Sequence, residues 1–159
     1  LRLTCQIIIW HFLFIIMILN VYKQKRKELI IDKSYREIRC HDNQLTELTI
    51  PEEFSKELIN FYFSRNQIEE IQIPESVKYL DASYNLLTEL ILPKKIYNIR
   101  CNNNKITNLL IPKSCKFLYC NKNQITELKL PMWIEGVTCD LMDMINYNDC
   151  PKLKLKMFL

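Results

Sequence analysis

A chain of 159 residues, 48% apolar and 25% charged with a net charge of +4, fits one folded module plus one special segment. Its single glycine, Gly136, excludes phosphate-cradling loops of the G-x-x-x-x-G-K or G-x-G-x-x-G kind. The positive excess includes Lys23, Lys25, Arg26 and Lys27 in one cluster, so the rest of the chain is close to neutral, shows no basic stripe, and is not expected to bind nucleic acid.

The first segment, residues 1–22, is apolar from Leu3 to Tyr22 apart from Thr4, Gln6, His11 and Asn20. About 20 such residues cross a bilayer as a helix, so residues 3–22 are expected to contact lipid as a retained, single-pass anchor. The unbroken centre, Phe12 to Leu19, is also the size of a signal-peptide core, although Asn20-Val21-Tyr22-Lys23 offers no small-x-small cleavage site. A cleaved signal and a truncated start, since the chain opens on Leu1, are the alternatives. Four basic residues after the segment outweigh Arg2 before it, which places the following residues on the cytoplasmic side. Cysteines at inward strand positions suit a reducing compartment, and no asparagine lies in an N-x-Ser/Thr sequon. Secreted or soluble cytoplasmic location stands as the alternative.

Residues 23–28 form a charged linker, and from residue 29 to residue 139 the chain repeats. Position 1 of the unit is Cys40, Phe63, Ala82, Cys101, Cys120 and Cys139, a period of 19 with one step of 23 between Cys40 and Phe63. Position 4 is Asn43, Asn66, Asn85, Asn104 and Asn123, and position 12 is Pro51, Pro74, Pro93, Pro112 and Pro131. Apolar residues recur at positions 1, 6, 9, 11, 15 and 18, as in Ile106, Leu109, Ile111, Cys115, Leu118 and Cys120. Nineteen residues cannot close a core around these alone. Stacked in register, the apolar rows merge into one interior, which is the logic of a solenoid.

The alternation Leu118, Tyr119, Cys120 has the period of a strand and predicts parallel pairing at about 4.8 Å between coils. Asparagine after the strand predicts a ladder of turn-stabilising amides, and proline at position 12 forbids a helix through the return side. Leu29 and Ile31 occupy positions 9 and 11 of a partial unit, with Asp32 in the proline slot, expected with Tyr35 and Ile38 to shield the open end. The first complete unit carries four extra residues within Pro51 to Phe61, where Phe54, Leu58 and Phe61 at helical spacing predict a short outward helix. After Cys139 the frame decays, and residues 140–159 are expected to form a capping tail whose Leu153 to Met157 alternates apolar and basic residues as an edge strand guarded by lysines.

The run Ile96-x-x-Ile99-x-Cys101-x-x-Asn104-x-Ile106 resembles the strand-and-turn signature of leucine-rich repeats, L-x-x-L-x-L/C-x-x-N-x-L. The same signature reads at Tyr35, Ile38, Cys40, Asn43, Leu45 and at Cys115, Leu118, Cys120, Asn123, Ile125. The short unit is similar to the short leucine-rich repeats of bacterial type III effectors and of giant DNA viruses, with the Ile-, Lys- and Asn-rich composition leaning to the viral ones. The resemblance covers Leu29 to Cys139. It implies a mostly β, α/β-type solenoid: a horseshoe with a parallel concave sheet, here preceded by an N-terminal hydrophobic helix.

The cysteines repeat with the fold period, which reads as packing and not as a metal site built from local C-x-x-C pairs. Cys40 and His41 are neighbours on a strand and point to opposite faces, so they do not form a nucleophile and base. Effector-type repeat proteins that are ubiquitin ligases carry their catalytic cysteine in a large helical domain after the repeats, and only about 20 residues follow Cys139 here. No enzyme, cofactor, metal or small-molecule substrate is expected. What remains is the concave face, at positions 17, 19 and 2. There Arg39, Tyr62, Tyr79, Asp81, Arg100, Phe117 and Tyr119 supply the residue types that dominate binding hot spots, although aromatic residues also favour strands for their own sake. The expectation is a membrane-anchored, non-catalytic module binding another protein. The alternative is a degenerate or truncated repeat fragment with no activity of its own.

Overall fold

The computed structural model describes residues 17–140. Their elements in chain order are β1 (Ile18–Asn20), β2 (Glu28–Ile30), β3 (Glu37–Arg39), β4 (Glu47–Thr49), α1 (Glu52–Ser55), β5 (Asn60–Tyr62), β6 (Tyr79–Asp81), β7 (Asn98–Arg100), β8 (Phe117–Tyr119) and β9 (Gly136–Thr138). Seven strands join in one sheet of order β1-β3-β5-β6-β7-β8-β9, so the chain makes six turns of a mostly β solenoid between the first strand and the last. Every pairing is parallel. Partners lie 19 residues apart, as in Ile99↔Leu118, except for the step of 23 at Ile38↔Phe61.

The period follows from what each coil must bury. Position 18 supplies Ile38, Phe61, Leu80, Ile99 and Leu118, and position 1 supplies Cys40, Phe63, Ala82, Cys101, Cys120 and Cys139, all buried in a single inner column each. Position 6 adds Leu45, Ile68, Leu87 and Ile106 from beyond the turn, each fully buried. Burying such a side chain contributes roughly 1.5–3 kcal/mol, and one coil by itself closes only part of the pocket. The neighbouring coil closes the rest.

The turn after each strand carries a feature the sequence does not advertise. Position 3 adopts positive φ at Lys23, Asp42, Arg65, Tyr84, Asn103 and Lys122, with values from 52° to 58°. No glycine serves there, although a left-handed L-residue costs about 1–2 kcal/mol. The strain is held by hydrogen bonds on both sides of the bend. Position 3 amides continue the ladder, as in Tyr84 N–H to Asn102 O at 2.8 Å, and the position 4 amide closes the corner.

The asparagine ladder is built as its spacing predicts. Asn85 Nδ2 donates to Ala82 O in its own coil and to Phe63 O in the preceding coil, both at 3.1 Å, while its Oδ1 accepts the Ile68 N–H at 3.1 Å. Asn66, Asn104 and Asn123 repeat this pattern. Asn43 makes the same donations to Val21 O and Cys40 O, and accepts from Gln24 N–H. No described buried side-chain nitrogen or oxygen lacks a partner.

Two expectations change. The sheet begins earlier than residue 29: Ile18–Asn20 pairs with Glu37–Arg39, and Val21 is buried in the core. The unit read as partial is therefore complete, because residues 18–21 fill the slots that β3 and Cys40 fill one coil later. The end of the apolar stretch 3–22 is thus strand, and the rest of that stretch lies outside the described residues. Among the described residues no helix is long and apolar enough to cross a membrane. The second change is the insert. Its helix is the single turn Glu52–Ser55, not a run reaching Phe61. Leu58 and Phe61 instead fill the ordinary positions 15 and 18 of the coil, both fully buried, and only half-buried Phe54 belongs to the extra turn. The tail expected over 141–159 lies outside the described residues.

Candidate functional site

Because residues 17 and 19 of each coil flank a buried residue 18, the strands present two rows to solvent on the outer face of the seven-stranded sheet. One row runs Glu37, Asn60, Tyr79, Asn98, Phe117; the other runs Arg39, Tyr62, Asp81, Arg100, Tyr119. The structure thus brings all seven residues singled out from the sequence onto one face. They do not behave alike.

At the β3 end the charges are already satisfied. The Arg39 guanidinium donates to the Glu37 carboxylate within the same strand, and Asn60 Nδ2 donates to the other Glu37 oxygen at 2.8 Å. Tyr62 sits beside this cluster, and burial, followed by the Glu37 carboxylate, pushes its hydroxyl above the usual tyrosine range. Asp81 Oδ1 accepts the Ser83 N–H at 3.0 Å. Toward β8 the face is aromatic. Tyr79, Tyr97 and Phe117 form a continuous row, with ring centroids 5.7 Å apart for the first pair and 5.8 Å for the second, the latter edge-on. The Arg100 guanidinium lies 5.2 Å from the Tyr119 ring centroid. Stacking of this kind preorganises both groups at little further entropic cost.

Tyr97 escapes a reading by strand alternation, because it sits at position 16, one residue before β7. Its signal is the aromatic residue flanking a strand whose own neighbours in the sheet carry Tyr79 and Phe117. Gly136 has its use here too: a Cβ on it would stand 3.1 Å from Phe117 Cδ1, so the missing side chain lets Phe117 lean toward β9.

The described cysteines lie on the other side of the strands and are buried thiols. Burial pushes Cys40, Cys101 and Cys115 up to about 12, and Cys120 is raised by its thiol contact with Cys139 and then by burial. Protonated and enclosed at neutral pH, they are poor nucleophiles. Among the described residues no group of three or more His, Cys, Asp or Glu side chains could hold a metal ion.

This geometry defines a parallel-strand solenoid repeat protein with coils of about 19 residues and an aromatic, arginine-bearing sheet face. No protein-family model and no curated protein matches this chain in sequence.

Proposed function

We propose that this chain is a leucine-rich-repeat module, of the short-repeat kind, that binds another protein on the face of its main sheet and catalyses no reaction. The observation that carries the reading is the row Tyr79, Tyr97, Phe117 with the stacked pair Arg100 and Tyr119, five side chains of the types that anchor interfaces, held in place by a rigid ladder. Aromatic residues also favour strands for their own sake, but that preference does not account for Arg100 stacked on Tyr119 or for Tyr97 outside the strand. Arg39 is the weaker contributor, since Glu37 already occupies it.

Replacing Tyr79, Arg100 and Tyr119 together by alanine tests this. The triple variant is expected to stay folded, with a urea midpoint lowered only by loss of the Tyr79–Tyr97 and Arg100–Tyr119 contacts, and to lose the partner that the unchanged chain captures, with affinity falling at least about 100-fold. An unaltered partner set favours a repeat fragment without activity of its own. A second, separable part of the proposal is that the solenoid is tethered at a membrane, with its coils on the cytoplasmic side, through the apolar residues before Met17, a stretch shortened by the residues 18–21 that the first coil takes from the expected span. Retention in the membrane pellet after alkali extraction is the expected result.

A further inference from the structure

We propose that the wall opposite the main sheet is a second docking surface, for an extended partner segment in which lysine or arginine alternates with aliphatic residues. This goes beyond the sheet-face reading and does not depend on it.

The wall presents two rows. In β2 the middle residue, Leu29, is buried while Glu28 and Ile30 point outward, and β4 repeats this with Glu47 and Thr49 around Leu48. Carried along the repeat, the first row becomes Glu28, Glu47, Glu70, Glu89, Asn108 and Glu127, all exposed. Like charges stacked in successive coils repel one another, so this row is held against its own electrostatics. Among its glutamates only Glu127 is ion-paired within the described residues, to Lys129 at 3.3 Å.

Two residues further along each coil runs the second row, Ile30, Thr49, Gln72, Ile91, Leu110 and Lys129, in which the aliphatic members Ile30, Ile91 and Leu110 are 70%, 79% and 80% exposed. Ile91 and Leu110 belong to successive coils and flank an open groove of about 440 Å³, with Glu89 and Leu92 on one bank and Ile111 and Pro112 on the other. Lys94 stands at its margin. Among the described residues no backbone hydrogen bond joins Glu89–Leu92 to Asn108–Ile111, so amides and carbonyls there are open to a visiting chain.

An extended segment repeats its side chains every second residue. One set of alternate residues can therefore face the carboxylate row while the other covers Ile91 and Leu110. Charge complementarity fixes the sign: the first set is basic.

The test is fluorescence anisotropy of labelled Lys-Leu-Lys-Leu-Lys-Leu on the full chain, with Glu-Leu-Glu-Leu-Glu-Leu as control. Binding of the basic peptide is expected to weaken about 10-fold or more in Ile91→Ser/Leu110→Ser and in Glu70→Lys/Glu89→Lys, and to fall with added salt. The sheet-face triple variant is expected to leave it unchanged. All four substituted residues are exposed, so urea midpoints should not move. The proposal is overturned by equal binding of the acidic peptide, by indifference to both wall variants, or by loss in the sheet-face variant alone. Binding that emerges only after removal of residues 152–159 would assign the groove to the chain's own Lys-Leu-Lys-Leu-Lys-Met run and would overturn it as well.

Discussion

The two walls of this solenoid are made from the same nineteen-residue unit and are held by different forces. On one wall, seven strands pair continuously, and asparagine amides tie each turn to the coil before it. On the other, among the described residues only Glu28–Ile30 and Glu47–Thr49 pair as strands, and from residue 69 onward the coils are anchored by side chains such as Leu90 and Leu109 pointing inward. Hydrogen bonds specify geometry to a few tenths of an ångström, whereas apolar burial is non-directional. The main sheet is therefore the wall whose geometry is fixed by directional bonds as well as by burial, and the opposite wall from residue 69 onward is fixed chiefly by burial.

The largest expected effect attacks the directional wall. Asn85→Ala removes a buried amide and leaves the Ile68 N–H without its partner, while the Phe63 and Ala82 carbonyls each lose one amide donor and keep another, from Asn66 and Asn104. An orphaned buried donor costs about 1–3 kcal/mol, and the urea midpoint should fall by an equivalent amount. A midpoint that hardly moves would show that water replaces the amide and that the ladder is not what orders the turns. The same contrast should be visible without mutation. Amide hydrogens of Ala82, Tyr84, Cys101 and Asn103, all bonded to the next coil, should exchange at least about 100-fold more slowly than those of Ile91, Leu92, Leu109 and Leu110. Equal protection on both walls would erase the distinction.

A smaller effect concerns the thiol column between the walls. Burial penalises the thiolate and pushes the Cys101 thiol from its ordinary value of 9.0 up to about 12 in the folded state. Above the unfolded value the unfolded chain releases its proton first and binds fewer protons than the native state. Stability is thus fully present below pH 9 and is lost as pH rises toward 12. Cys101→Ala, which imitates Ala82 in the same column, should cost about 1 kcal/mol at pH 7 and make urea midpoints measured between pH 8 and 10.5 less steep. The smallest effect is at the turn. Lys122→Gly relieves a φ of 55° but gives the unfolded chain more freedom, so a net gain under about 1 kcal/mol is expected from its thermal midpoint.

These particulars separate what a linear reading could reach from what it could not. The columns at positions 1 and 18 and the asparagine ladder were legible, because each repeats one chemical requirement at one spacing. The first strand was not. Ile18–Asn20 sits at the end of an apolar run with no polar alternation to mark it, and Gln24 replaces the asparagine that would have flagged its turn. The helix in the insert was overextended because Leu58 and Phe61 satisfy two patterns at once, helical spacing and coil position, and burial in the stack settled the matter. Tyr97 was missed because its importance lies in neighbours 18 and 20 residues away, Tyr79 and Phe117.

The amino-acid order alone determined that this chain coils with a period of 19 and which residues each coil turns inward, since periodic burial is a property of spacing and needs no coordinates to recognise. Only the assembled structure decided where the stack begins, which charges on the sheet face are already paired, and where the far wall parts between Ile91 and Leu110. Those outcomes depend on distances between coils. Such distances are set jointly by every side chain packed between the two walls, and no single repeat encodes them.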